Sequence, residues 1–116
     1  VAPHVLANMR GLRVLALAAN SLTSTDGLGG CKGLETLDLA KNELNSLAAV
    51  SAVLNASPMK ELDLRGNAIS DSRQHLDAII VSSPALTHLN GRELTKSERP
   101  YLQSLHRLGK RRIDLE

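Results

Sequence analysis

Phenylalanine and tryptophan are missing from these 116 residues, and Tyr101 is the single aromatic. Globular cores ordinarily draw much of their buried area from large rings. A chain that is still 42% hydrophobic must therefore fill its interior with aliphatic side chains. The same lack removes the stacking platform on which single-stranded nucleic acid is usually held. Cys31 is the only cysteine, so no internal disulfide can form and no cysteine set for structural zinc exists. No apolar run approaches the roughly 18 residues that a membrane-crossing helix needs, and no secretory signal is visible. No membrane contact is expected.

Charge is modest overall, at +2, but unevenly placed. Residues 1–90 carry 7 Lys/Arg against 8 Asp/Glu, and residues 91–116 carry 7 against 4. The body is close to neutral and the basic character belongs to the end of the chain, so the overall pI is a poor guide to partners.

What the chain does have is a recurring pattern, Leu-x-x-Leu-x-Leu-x-x-Asn. It appears as Leu12-Leu15-Leu17-Asn20, as Leu34-Leu37-Leu39-Asn42 and as Met59-Leu62-Leu64-Asn67. Each copy is followed two positions on by another aliphatic residue, Leu22, Leu44 or Ile69, and a broken fourth copy begins at Leu86 and Leu89. The spacings of 22, 25 and 27 residues fall near the range of leucine-rich repeats. Within each copy the Leu-x-Leu alternation predicts a short strand with its leucines inward. Successive strands should pair in parallel, roughly 4.8 Å apart. The asparagines carry both a donor and an acceptor, which suits them to backbone groups left unpaired where the chain turns away from each strand. Asn20, Asn42 and Asn67 are read as structural.

The return segments differ. Ser24 to Gly33 is rich in small residues and predicts a loop or one tight turn. Ser46 predicts a helix cap before Leu47, Val50, Val53 and Leu54, with Pro58 ending the excursion. Asp71 is the expected cap of a second helix that turns Leu76, Ile79 and Ile80 inward and stops at Ser83-Pro84. Val5, Leu6 and Met9 read as the last stretch of a similar segment, so a preceding repeat or cap in a longer protein is expected. Asn90-Gly91 is a turn signal. Thr95-Lys96-Ser97-Glu98 reads as a capping box, and Pro100 fits within the first helical turn if Ser97 is the cap. Tyr101, Leu105 and Leu108, with Leu102 beside them, then predict a helix folded over the open end of the leucine stack.

The segment Leu86-Thr87-His88-Leu89-Asn90-Gly91-Arg92-Glu93-Leu94-Thr95-Lys96-Ser97-Glu98-Arg99, together with the repeats, resembles the intracellular leucine-rich repeat family that ends in a C-terminal repeat cap. That family includes the phosphatase-1 regulatory repeat protein, the axonemal dynein repeat light chain, the repeat subunit of the U2 particle and the mRNA export receptor. In its end cap a leucine pair, an Asp-Gly turn, a short aliphatic stretch and a Glu-Arg pair recur. Here Asn90 stands where Asp is usual, and both residues tolerate the turn. The resemblance covers residues 12 to about 108. It implies an α/β chain forming a right-handed leucine-rich repeat solenoid, with parallel strands on the concave face, helices and loops on the convex face and a C-terminal capping helix. One domain is expected over 1–116: residues 1–11 as the end of a repeat or cap, 12–89 as four repeats and 90–112 as the cap and its helix. Extracellular members of such repeat classes commonly close their ends with disulfides, so the lone cysteine favours a reducing compartment. The resemblance also implies a partner-binding, non-catalytic module.

If the strands stack in register, the residues between the leucines form rows on the concave face: Val14, Thr36, Glu61 and His88; then Ala16, Asp38, Asp63 and Asn90; then Ala18, Ala40 and Arg65. These positions (Val14, Ala16, Ala18, Thr36, Asp38, Ala40, Glu61, Asp63, Arg65 and His88) are the expected partner-binding residues. Val14, Ala16 and Ala18 would take an aliphatic side chain, and Asp38, Glu61 and Asp63 a basic one. Carboxylate pairs and His–carboxylate pairs are also raw material for acid–base chemistry, but the pattern supplies no water-excluding cavity, metal set or phosphate loop, and no enzyme, cofactor or metal is expected. The tail cations Arg107, Lys110, Arg111 and Arg112 read first as a solvated helix end, where the dipole favours them, and second as a contact for nucleic-acid phosphates. The leading expectation is a monomeric cytoplasmic scaffold in a cytoskeletal or ciliary assembly that binds a protein partner. The alternative is a nuclear repeat subunit of an RNA-processing or mRNA-export complex.

Overall fold

A computed structural model describes residues 11–108. The segments containing Val5, Leu6 and Met9, and Lys110, Arg111 and Arg112, lie outside the described residues, as do the side chains of His106 and Leu108.

The leucine pattern sets the architecture. Strands β1 (Val14–Ala16), β2 (Thr36–Asp38), β3 (Glu61–Asp63) and β4 (His88–Leu89) lie side by side in sequence order and pair in parallel. Leu15, Leu37, Leu62 and Leu89 occupy one row, so each repeat delivers its inward leucine to the same level. Behind the sheet, Leu34, Leu37, Leu39, Leu44, Leu62, Leu64, Ile69, Leu86 and Leu89 are buried in a single core. Each such side chain contributes on the order of 1.5–3 kcal/mol through burial. The rings missing from the sequence are not needed, because stacking repeats bury leucine on leucine.

The return segments give the convex layer. The small-residue stretch forms a 3-10 turn at Asp26–Leu28. It is tied to the next repeat through Thr25, whose N–H and hydroxyl both donate to the Ala49 carbonyl at 2.8 and 2.9 Å. Helix α1 (Leu47–Ala56) begins at Ser46, whose hydroxyl accepts the Ala49 N–H, and buries Val50 and Val53. Helix α2 (Arg73–Ser82) buries Ile79 and Ile80. Its cap is Ser72, whose hydroxyl accepts the His75 N–H at 3.4 Å, and not Asp71. A second 3-10 turn, Ala68–Asp71, uses up Asp71 and shifts the helix start by one residue. Cys31 is fully buried, and burial pushes its thiol pKa up.

The asparagine ladder holds for two of the three predicted rungs. Asn42 donates to the Leu17 and Leu39 carbonyls at 3.0 and 2.9 Å and accepts the N–H groups of Asn20 and Leu22. Asn67 donates to Leu39 and Leu64 and accepts the Leu44 N–H at 3.0 Å. Asn20 is exposed, and among the described residues its amide donates only to the carbonyl of Ala18 in its own turn. A rung works by reaching back to a preceding repeat, and no such repeat stands before β1 among the described residues.

The sheet ends differently from the expectation. After β4 the chain reverses through Asn90 and Gly91, both at positive φ (56° and 79°), into β5 (Arg92–Glu93), which pairs antiparallel with β4. Two successive left-handed residues make the tight hairpin that matches strand twist. The edge of β4 is thus covered by a strand. Helix α3 (Glu98–Leu108) packs against α2. Its phase also differs: Leu102 is buried and Leu105 half-buried, whereas Tyr101 is 62% exposed.

The polar anchoring of α3 explains that phase. Arg99 donates to the carbonyls of Ile80, Ser83 and Leu86 at 3.0, 3.0 and 2.6 Å, gripping the chain where α2 ends. Glu98 accepts both terminal nitrogens of Arg92 at 3.0 and 2.8 Å and also the Thr95 N–H. One adjacent Glu-Arg pair therefore ties the helix to the hairpin on one side and to α2 on the other.

Candidate partner-binding face

Strand register fixes the face. Val14, Thr36, Glu61 and His88 are direct neighbours across the four parallel strands, as are Ala16, Asp38 and Asp63. The antiparallel hairpin lengthens the first row by placing Glu93 opposite His88. The second row stops at Asp63. Asn90 does not join it: it lies past the end of β4, its side-chain carbonyl accepts the Leu64 N–H at 2.7 Å, and its amide donates to the Ser70 hydroxyl. Asn90 is part of the end-cap wiring.

The face divides into an apolar and a charged half. Over the first repeat, Val14 is 64% exposed and Ala16 and Ala18 are exposed beside it. Over the second and third repeats lies an open depression of about 360 Å³ lined by Thr36, Leu37, Asp38, Glu61, Leu62, Asp63, Arg65, His88 and Gly91. A second one, about 320 Å³, is bounded by Ala40, Lys41, Asp63, Arg65 and Gly66. The ridge between them is Asp63 with Arg65, which line both.

The acids are not equivalent. Asp38 accepts the Ala40 N–H at 3.0 Å and Asp63 accepts the Arg65 N–H at 3.0 Å, the same turn after the strand in consecutive repeats. A short acceptor two residues before a free N–H stabilises such a turn, so the Leu-Asp-Leu motif has a structural reason. Asp63 is committed further. Arg65 donates from Nε to Oδ1 at 3.0 Å and from Nη2 to Oδ2 at 2.6 Å. That side-chain hydrogen bond holds the Asp63 carboxyl below the usual range, with burial acting in the opposite direction, and raises the Arg65 pKa. The three acids expected to receive one basic residue are therefore two available acids, Asp38 and Glu61, plus one already neutralised. The i,i+2 pairing of Asp63 with Arg65 across a turn carries no periodicity that would announce it in the sequence.

For acid–base chemistry the arrangement is poor. Asp38 and Asp63 are neighbours, and Glu61 sits opposite His88, yet a carboxylate held below its usual range is a weaker base. His88 Nδ1 is 2.9 Å from the Thr87 hydroxyl, and the depression is open to solvent. Among the described residues no group of three or more His, Cys, Asp and Glu is placed to hold a metal ion, and no helix is long and apolar enough to cross a membrane. Of the tail cations only Arg107 is described, and it is exposed.

Comparison with known proteins agrees with this architecture. The leucine-rich repeat-containing protein ODA7 of Chlamydomonas reinhardtii is 33% identical over 85 residues, which is 72% of this chain and 20% of that protein. The centrosomal protein of 72 kDa of Mus musculus is 30% identical over 95 residues, 81% of this chain and 15% of its own length. The leucine-rich repeat- and IQ domain-containing protein 1 of Mus musculus is 36% identical over 81 residues, 69% of this chain and 5% of that protein. The chain thus spans a fifth or less of the length of these relatives. Among solved structures, a chain of the Drosophila melanogaster SNF/U2A' complex superimposes with a TM-score of 0.64 at 19% identity, covering 84% of this chain and 54% of that one. No family model matches. The repeats, their stacking and these relatives together place the chain in the leucine-rich repeat family.

Proposed function

We propose that this chain is a non-catalytic interaction domain of a longer protein and that it holds a protein partner against its sheet face. The observation that carries the reading is the register itself. Residues outside the buried core are lined up across four strands, from apolar Val14 and Ala16 to the acids Asp38 and Glu61. A wide, open, chemically graded surface suits an extended protein contact and suits a small reactive molecule poorly. Val14, Ala16 and Ala18 take an aliphatic side chain of the partner, and Asp38 and Glu61 take a neighbouring cation. Thr36, Ala40, Asp63, Arg65 and His88 border the contact.

The test uses the full-length protein purified from its own cells. Ala16→Arg with Glu61→Lys changes two exposed positions on the face and should abolish co-purification of the partner set, while the helix-face control Ser51→Arg should leave it intact. Partners retained by the double variant would overturn the reading.

For the cellular setting, a cytoplasmic, cytoskeletal assembly is the reading we favour, supported by a relative named for the centrosome. The nuclear alternative draws support from the fold shared with a chain of the SNF/U2A' complex and from the basic residues Arg107, Lys110, Arg111 and Arg112. RNase treatment decides between them. A complex whose sedimentation is unchanged supports the cytoskeletal setting, and one that falls apart supports the nuclear one.

A further inference from the structure

We propose that Arg65 is a stacking platform: its guanidinium, held along one edge by Asp63 and backed by Gly91, receives an aromatic side chain of the protein partner, whose adjacent lysine or arginine enters the depression between Asp38 and Glu61. This rests on the sheet face being the binding surface and adds the chemistry that the surface selects.

A guanidinium offers donors around its edge and two flat faces. The Nε–Nη2 edge of Arg65 is spent on the two oxygens of Asp63, at 3.0 and 2.6 Å. One face is spent as well. A Cβ on Gly91 would lie 3.1 Å from Nη1, 3.2 Å from Cζ and 3.3 Å from Nη2. Near-equal distances to three atoms of the plane put Gly91 over the plane and not at its rim. Arg65 nevertheless stays 64% exposed, so what it shows to solvent is the opposite face and Nη1.

That geometry rejects some ligands and favours others. A carboxylate or phosphate needs the two-pronged edge for bidentate binding, and that edge is occupied. Asp38, Glu61 and Asp63 beside it repel anions further. An exposed, immobilised guanidinium face attracts an aromatic ring, and because Asp63 already fixes the rotamer, little side-chain entropy remains to be lost on contact. Tyr101, the one Phe, Tyr or Trp of this chain, lies on α3 outside the sheet, and the His88 imidazole that shares the depression is engaged with the Thr87 hydroxyl at 2.9 Å. The ring we assign to this face is the partner's. Charge specifies its neighbour: three carboxylates and one guanidinium line the depression, and Glu61 forms no ion pair among the described residues. A cation beside the ring completes the balance.

The test is a titration of the isotope-labelled full chain with short Gly-Ser peptides that carry one Trp and one Lys at varied separation, followed by NMR. Controls replace Trp by Leu or Lys by Glu. The best Trp/Lys peptide should shift the backbone amides of Thr36, Leu37, Leu62, His88 and Gly91 and move the Arg65 Nε–H upfield through the ring current. Arg65→Lys keeps the charge but removes the flat face. It should weaken that peptide about three- to fivefold, the scale of an exposed cation–π contact, and leave the Leu/Lys peptide unchanged. Equal affinity of the Trp and Leu peptides at this face overturns the stacking platform and leaves the protein-binding reading standing. Failure of every peptide to shift these amides at millimolar concentration overturns both.

Discussion

The side-chain carbonyl of Asn90 accepts the backbone N–H of Leu64 at 2.7 Å. In the repeats before it, the corresponding N–H groups of Leu17 and Leu39 are received by backbone carbonyls, those of Asp38 and Asp63. At the fourth strand the backbone turns away at φ 56° to make the hairpin. Asn90 keeps its own N–H in the parallel ladder, donating to the Leu62 carbonyl at 2.9 Å, while its side-chain carbonyl takes the acceptor place that a backbone carbonyl holds in the earlier repeats.

Two substitutions separate those roles. Asn90→Gly removes the acceptor but suits the left-handed backbone, whereas Asn90→Ala removes the acceptor and strains the turn. The glycine variant should lose about 1–2 kcal/mol and the alanine variant about 1 kcal/mol more, read as midpoint shifts in urea unfolding. Equal midpoints for the two variants would mean that the positive φ contributes nothing.

The asparagine ladder predicts a gradient along the chain. Asn67 is buried and bonded to two carbonyls and one N–H, so Asn67→Ala should destabilise by about 2–3 kcal/mol, the toll of orphaned buried groups. Asn20 is exposed with one bond to its own turn, and Asn20→Ala should stay within about 0.5 kcal/mol of the parent. Identical motif positions would thus differ several-fold, measured by the same unfolding curves.

How much of this was legible depended on whether one periodicity decided the matter. The rows Val14–Thr36–Glu61–His88 and Ala16–Asp38–Asp63 followed from the leucine phase, because a strand has only two faces. Ser46 was legible as a cap because it stands directly before the apolar run, although Asn45 offers the same chemistry one residue earlier. Asp71 and Ser72 are both good caps, and the choice between them fell to a 3-10 turn that has no strong sequence signal. Tyr101 looked apolar enough for the buried side of α3, but the orientation of that helix is set by Arg99 reaching three carbonyls on and beyond α2. The Asp63–Arg65 pair was missed because residues two apart share a strand face whether or not they pair, so the spacing alone announces no ion pair, and the turn after Asp63 brings the two side chains together.

Acid should loosen the C-terminal cap. Arg92 holds the Glu98 carboxyl below its ordinary value of 4.5, chiefly by hydrogen bonding and against burial. A carboxylate whose folded pKa is depressed binds fewer protons in the native state than in the unfolded one. Its stabilising contribution is therefore present above pH 4.5 and fades as the pH falls through the lower folded value. Hydrogen exchange of α3 amides, corrected for intrinsic rates, should show reduced protection in that window. In Arg92→Ala the same amides should be less protected at neutral pH and less dependent on acid. A parent profile that stays flat below pH 4.5 would refute the linkage.

Arg99 is the sharper test of how the cap is fastened. Its guanidinium donates to three carbonyls, those of Ile80, Ser83 and Leu86; the first two also accept the backbone N–H groups of Ser83 and Leu86. Arg99→Ala removes the charged donors and should cost about 1.5–3 kcal/mol. Arg99→Lys keeps the charge but cannot span three acceptors from a planar fork, so it should recover less than half of that. The loss should be local first. Amides of α3 should exchange at nearly unfolded rates while those of β2 and β3 keep their protection, because the leucine rows of the central repeats make no use of Arg99. If β2 and β3 lost protection together with α3, the cap would be an inseparable part of the folding unit and Arg99 would be fastening the whole stack.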